Sequence, residues 1–176
     1  KVITHHFYVY DLDDHINPIK AGYSASMADA LARFNSGEPI FFYTWAPNWT
    51  IGKLKPGKDV VWINVPEIKP KESQMAGEDR MTVSAIEGAV SDPLKAGFVV
   101  SDIQVVANKD FLNSNPSAKK FFELFNLQLA DINEQNTKMQ DGEKSQADIE
   151  RHAQEWIAAN QEKWNSWLDA ARNAAN

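Results

Sequence analysis

The sequence predicts an α/β protein that turns helix-rich towards its C-terminal end. Two short β-branched and aromatic runs, Ile40-Phe-Phe-Tyr-Thr-Trp45 and Asp59-Val-Val-Trp-Ile-Asn-Val65, have the composition and length of strands. Helical spacing precedes them, with Met27, Ala28, Leu31 and Phe34 recurring on one face. Beyond residue 107 almost every signal is helical, so helices flank the strands in the order that an α/β layer requires.

Residues 2 to 10 are apolar and weakly periodic and read as a first helix. The chain turns before Asn17-Pro18, because a residue ahead of proline is disfavoured in the α region. Ser24 or Ser26 is placed to cap a second helix, and Gly37 supplies its stop. The run 40–45, bounded by Pro39 and Pro47, is expected to be a buried strand with Phe41, Tyr43 and Trp45 on one face. Lys55-Pro-Gly-Lys58 has Pro and Gly where a type II turn needs them, and the second strand, 59–65, follows.

From Pro66 to Lys95 the sequence is polar and lacks a period, which marks a connecting region. Residues 97–107 read as one long strand. Asn115-Pro-Ser117 opens a helix running through Phe121, Phe122 and Phe125, since Pro is tolerated in a first turn, and Asp131 to Met139 form another. After Gly142, Ser145-Gln-Ala-Asp148 resembles a capping box. Ile149, Ala153, Trp156, Ile157, Trp164, Trp167 and Leu168 then follow the stripe of one amphipathic helix of about 25 residues.

Composition removes several function classes. The 176 residues carry 18 Lys and Arg against 24 Asp and Glu, a net charge of -6, with no basic patch interleaved with aromatics, so no nucleic-acid partner is expected. The absence of Cys rules out disulfides and thiol chemistry and leaves either redox compartment open. No run reaches the ~20 apolar residues of a membrane-spanning helix. The opening, Lys1 to His6, has no Met and no leader, which fits a processed protein, a clipped fragment or an excised piece.

No constellation calls for catalysis or a cofactor. His5, His6, Asp11, Asp13, Asp14 and His15 are metal-ligating types, but adjacent helical residues point ~100° apart. Asp11-Leu-Asp-Asp14 also lacks the alternation and central Gly of a calcium loop, so a solvated helix end is the better reading. Gly22-Tyr-Ser24-Ala-Ser26 fails as a nucleophile elbow for want of its second Gly. Glu78-Asp79 reads as solvated surface, and Asn48-Trp-Thr50 matches a glycosylation sequon of a kind common by chance. Trp62, Trp156, Trp164 and Trp167 read as packing residues. Trp45 differs, because it closes a strand just where the chain leaves through Ala46-Pro47, and ligands of open α/β folds collect at such edges.

Gly37-Glu-Pro-Ile-Phe-Phe-Tyr-Thr-Trp45-Ala-Pro47 followed by Leu54-Lys-Pro-Gly-Lys-Asp-Val-Val-Trp62 resembles the periplasmic substrate-binding protein of glycine betaine/proline ABC transporters, in its C-terminal part. The resemblance continues through Val105-Val-Ala-Asn-Lys109, Asn115-Pro-Ser-Ala-Lys119, Leu129 to Asn136, Met139-Gln-Asp-Gly142 and the Trp-rich end. It is looser around His5 and weak across 66–96. It implies part of a two-lobed, type II periplasmic-binding-protein fold. Residues 1–96 would be the later part of the second lobe, with the crossing at Gly97-Phe98, and residues 97–176 the returning part of the first.

The same resemblance implies a periplasmic carrier that is not an enzyme and needs no cofactor. Its ligand would be a small zwitterionic quaternary-ammonium osmolyte, and its partner the membrane permease of an ABC importer. Of the family's box of Trp side chains, only Trp45 carries over onto this chain. A quaternary ammonium has no N–H to donate, so its recognition rests on aromatic faces. One such contact supplies about 2 kcal/mol, against about 8 kcal/mol for micromolar binding, so the chain alone is expected to bind poorly. It is also expected to self-associate through uncovered apolar faces. The rival class is a protein-interaction module that docks through the C-terminal amphipathic helix, and burial of Trp156, Trp164 and Trp167 within one protomer would exclude it.

Overall fold

A computed structural model describes residues 2–175; Lys1, where the first expected lobe segment begins, and Asn176 lie outside the described residues. The chain forms two compact units, one of residues 1–45 with 53–101 and the other of residues 46–52 with 102–176.

In the first unit, α1 (Val2–Val9) and α2 (Tyr23–Asn35) form where the apolar spacing places them. Neither Ser24 nor Ser26 caps α2: Gly22 occupies that position, and no side chain hydrogen-bonds there. Its end is as expected. Gly37 adopts φ +76°, its N–H reaches Phe34 O at 2.9 Å, and the Glu38 N–H reaches Arg33 O at 3.0 Å, which satisfies the last carbonyls.

The strands differ from expectation. Residues 40–45 and 59–65 form no strand: the second run starts within the turn at Asp59 and joins only isolated bridges, Pro56 with Val60 and Trp62 with Ala89. The described residues contain one sheet, an antiparallel pair of β1 (Thr82–Val83) and β2 (Leu94–Lys95), both inside the stretch expected to be only a connection. A strand needs a neighbour with which to exchange hydrogen bonds, and composition cannot supply one. The 66–95 stretch is instead packed. It holds a 3₁₀ segment, Glu72–Arg80, interrupted at Gly77, and the fully buried Met81. Ala96 and Gly97 both donate to Met81 O, tying the hairpin's return to that core residue.

The Lys55–Lys58 turn forms, with Gly57 at φ +79° and Lys58 N donating to Lys55 O at 3.2 Å. A second turn lies against it. Gly88 adopts φ +72°, and a Cβ there would run into the backbone of Gly57 and Pro56. That closeness lets Trp62 exchange backbone bonds with the second turn, accepting from Val90 at 3.0 Å and donating to Gly88 at 2.9 Å.

The second unit is helical: most of α3 (Trp49–Lys53), then α4 (Lys109–Ser114), α5 (Pro116–Leu124), α6 (Leu129–Gln140), α7 (Gln146–Ala159) and α8 (Gln161–Asn173). Pro116 opens α5 and Ser145 with Asp148 makes the capping box of α7, both as the sequence predicts. The single closing helix is two. At Asn160 the backbone departs to φ -121°, and its side-chain amide donates to Trp156 O at 2.9 Å, competing with the helical ladder. The expected strand 97–107 does not form either. Residues 102–107 are neither helix nor strand.

Candidate ligand-binding site

Trp45 ends the extended run 40–45, whose alternation sends Phe41, Tyr43 and Trp45 to one side. That side is the open one and not the buried one expected, for Tyr43 is 45% and Trp45 44% exposed. The Trp45 ring centre is 4.8 Å from that of Tyr23, at the start of α2, and 5.9 Å from that of Tyr43, with tilts of 42° and 37°. Tyr43 lies 5.2 Å from Phe98, and Phe98 meets His6 of α1 edge-on at 4.9 Å. Four separate stretches of the first unit therefore build one row of rings.

The polar edges of the row are satisfied or muted. The Tyr23 hydroxyl lies 2.7 Å from Thr44 Oγ1, beside the backbone that carries Trp45. Partial burial, and then the neighbouring Tyr23, push the Tyr43 hydroxyl above its ordinary pKa. His6 is buried, and desolvation lowers its pKa against the opposing effect of a hydrogen bond with the Gly97 backbone. Around Trp45 the wall thus presents neutral π-faces, the surface that attracts a cation unable to donate hydrogen bonds.

The other residues considered from sequence fall elsewhere. His5 Nε2 lies 3.0 Å from Lys69 O, and among the described residues no group of three His, Asp or Glu is placed to hold a metal. Asn48 is buried, and its Oδ1 accepts from Thr50 N and Thr50 Oγ1, both at 3.0 Å, while its N–H donates to Asn133 Oδ1 at 2.9 Å. The sequon is therefore a local cap at the start of α3 and not an open acceptor. Glu78 and Asp79 are exposed in the 3₁₀ segment.

The C-terminal Trp stripe is consumed inside its own unit. Trp167 is buried, stacks on Trp156 at 6.0 Å and meets Phe125 at 5.6 Å, while Trp164 meets Phe121 edge-on at 5.5 Å. Lys163 Nζ sits 5.0 Å from the Trp167 ring centre and donates to Asn126 O, covering the stripe further. A docking helix would need these rings free, so the interaction-module alternative loses its surface.

Sequence reasoning missed Tyr23 and Phe98 as members of the row. Gly22-Tyr-Ser24 reads as a failed hydrolase motif and a helix start, and no local pattern links a helix's first residue to a Trp 22 residues on. Tyr43 was legible by its alternation with Trp45.

Residues 1–159 match the family described as the substrate binding domain of ABC-type glycine betaine transport systems. The chain is 42% identical over 174 residues to the glycine betaine-binding periplasmic protein OusX of Dickeya dadantii, covering 99% of this chain and 50% of that protein. Glycine betaine/proline betaine-binding periplasmic proteins of Escherichia coli and Salmonella typhimurium are 39% and 38% identical, covering 96% and 97% of this chain and 48% and 49% of their own length. The chain spans about half the length of these curated relatives. No helix among the described residues is long and apolar enough to cross a membrane. The chain belongs to the family of substrate-binding domains of ABC-type glycine betaine transport systems.

Proposed function

We propose that this chain serves in the periplasm as part of the solute-binding component of an ABC importer, capturing glycine betaine or a related quaternary-ammonium osmolyte and delivering it to the membrane permease. It carries its ligand without chemical change, and it contributes to osmoprotection. The observation that carries the reading is the half-exposed Trp45 ring backed by Tyr23 and flanked by Tyr43. Such faces attract a trimethylammonium group, which offers no hydrogen to an acceptor. In the two-lobed type II arrangement, residues 1–96 are the later part of the second lobe and residues 97–176 the returning part of the first. By itself the chain self-associates, because apolar side chains such as Phe41, Ile103 and Val106 stand 70%, 72% and 93% exposed.

The test is a chimera in which this chain replaces the matching half of the Dickeya dadantii protein. Calorimetry should give much tighter binding of glycine betaine than of glycine, whose N–H groups keep their hydration and find no acceptor on the wall. Equal affinity for the two would remove the aromatic mechanism.

A further inference from the structure

The row of rings that carries Trp45 runs from an open end to a buried one. Tyr43, half exposed beside Trp45, packs on Phe98 at 5.2 Å, and Phe98 meets the buried His6 edge-on at 4.9 Å. His6 is closely enclosed. The Tyr10 ring is 5.5 Å away, and a Cβ on Gly97 would lie 3.2 Å from His6 Cε1 and 2.7 Å from Val65 Cγ1, so only a glycine fits between them.

A neutral imidazole suits this enclosure, since it has a single N–H to place and a hydrogen bond with the Gly97 backbone. An imidazolium has two N–H donors and a charge that apolar rings solvate poorly, and burial accordingly lowers the His6 pKa in spite of that bond. Its titratable neighbours do not offset the charge. On α1 they are His5, with its ring 6.3 Å away and acting against a second positive charge, and Tyr10. On the other side stand Gly97 and Phe98, with Tyr43 one ring further. Glu67 and Lys69, whose carbonyls meet Tyr10 and His5, are paired with each other at 3.2 Å. Water drawn to a charged His6 finds room only if a ring gives way, and Phe98 is the ring that leads to the ligand face.

We infer that His6 is a positioning residue for betaine binding: uncharged, it holds Phe98 against Tyr43 and so Tyr43 beside Trp45, and a proton taken up at His6 weakens the binding. This rests on the proposed transport function and deepens it, adding a proton as a regulator of the same site. A bound betaine favours the ordered row, and with it the neutral imidazole, so by reciprocity the proton lowers betaine affinity. Because the folded pKa of His6 lies below 6.5, affinity is full above that value and is lost as the pH falls through the folded pKa.

The experiment measures glycine betaine affinity of the chimera by calorimetry at pH 7.5 and 5.0, with circular dichroism to confirm folding at both. Affinity should be roughly two- to tenfold lower at pH 5.0, the contribution of one aromatic pair. Repeating the titration in buffers of different ionisation enthalpy should show protons released as betaine binds at the lower pH. His6→Phe keeps a ring against Phe98 and should show neither the pH dependence nor the proton release, whatever its affinity at pH 7.5. Phe98→Leu leaves His6 to titrate but cuts the path to Tyr43, so its affinity should be lower at pH 7.5 and fall no further at pH 5.0.

A flat profile in the unsubstituted chimera, or the same fall in His6→Phe, would overturn the proposal. A readout without ligand separates it from the transport reading. In the 176-residue chain the Trp45 indole N–H resonance, assigned by its loss in Trp45→Phe, should move between pH 7.5 and 5.0 and stay still in His6→Phe and in Phe98→Leu. A chimera that fails to bind betaine while this resonance behaves so would sink the transport reading and leave the coupling of His6 to Trp45 standing; a resonance that ignores both substitutions would sink the coupling.

Discussion

The Tyr23 ring stands 4.8 Å from Trp45, and its hydroxyl lies 2.7 Å from the Oγ1 of Thr44, the residue before Trp45. A helix start is thereby joined to the end of the run 40–45 by a ring contact and a hydrogen bond side by side. The ring contact limits the tilt of the indole, and the hydroxyl contact sits next to the backbone that carries it. In the proposed binding site Tyr23 is a positioning residue, acting through Trp45.

Removing the Tyr23 ring should therefore matter more than removing its hydroxyl. An aromatic pair contributes about 0.5–1.5 kcal/mol beyond its buried area, so Tyr23→Ala in the chimera should weaken betaine binding roughly two- to tenfold. Tyr23→Phe keeps the ring and should keep most of the affinity. A merely structural Tyr23 predicts a different pattern, in which melting temperature falls in the Ala variant while the folded molecules bind betaine unchanged.

The helices were largely legible because their signals are local. Met27 and Phe34 repeat at helical spacing, Pro116 opens α5, and Ser145 reads forward to Asp148. The strands were not, because Ile40 to Trp45 and residues 97–107 have strand composition and no described neighbour to pair with. Asn160 shows the limit within helices, since its side chain bonds Trp156 O and divides a stripe that periodicity alone would continue. At the site, Trp45 and Tyr43 share a period-two face that can be read directly. Tyr23 reaches them only through the fold.

His6 makes stability depend on pH. Burial lowers its folded pKa below the ordinary value of 6.5, so the folded state binds a proton less readily than the unfolded chain. The stability due to the neutral, buried imidazole is thus fully present above about 6.5 and is lost as the pH falls from there towards the folded pKa. The 176-residue chain should melt at a lower temperature at pH 5.5 than at pH 7.5. His6→Phe keeps a ring against Phe98 and Tyr10 and should flatten that dependence. An equally steep profile in the variant would assign the effect to other groups.

Gly88→Ala should be among the most damaging single changes in the first unit. The residue adopts φ +72°, where a side chain is strained, and the added Cβ would meet the backbone of Gly57 and Pro56 and no flexible side chain that could yield. The cost should exceed ~1 kcal/mol, read as a lower denaturation midpoint of the chain. Gly22→Ala is the control, because a Cβ there meets nothing within 4 Å. Equal midpoints for the two variants would show that the paired turns open without consequence.

Trp45 carries the largest consequence. Its indole is 44% exposed, so truncation leaves no closed cavity, and a purely structural Trp45 would contribute only the Tyr23 and Tyr43 ring contacts. A ligand wall contributes more: a desolvated cation–π contact is worth about 2 kcal/mol, which is roughly a 30-fold change in affinity. In the chimera, Trp45→Ala should therefore weaken glycine betaine binding on the order of 30-fold, with only a modest fall in melting temperature measured without ligand. Trp45→Phe and Trp45→Tyr keep a negative ring face of smaller area and should fall between. The two quantities must be measured on the same three variants, because either alone is ambiguous. If Trp45→Ala melts much lower yet binds betaine as tightly as the unsubstituted chimera, the indole is a packing residue, and the cation-binding face lies elsewhere.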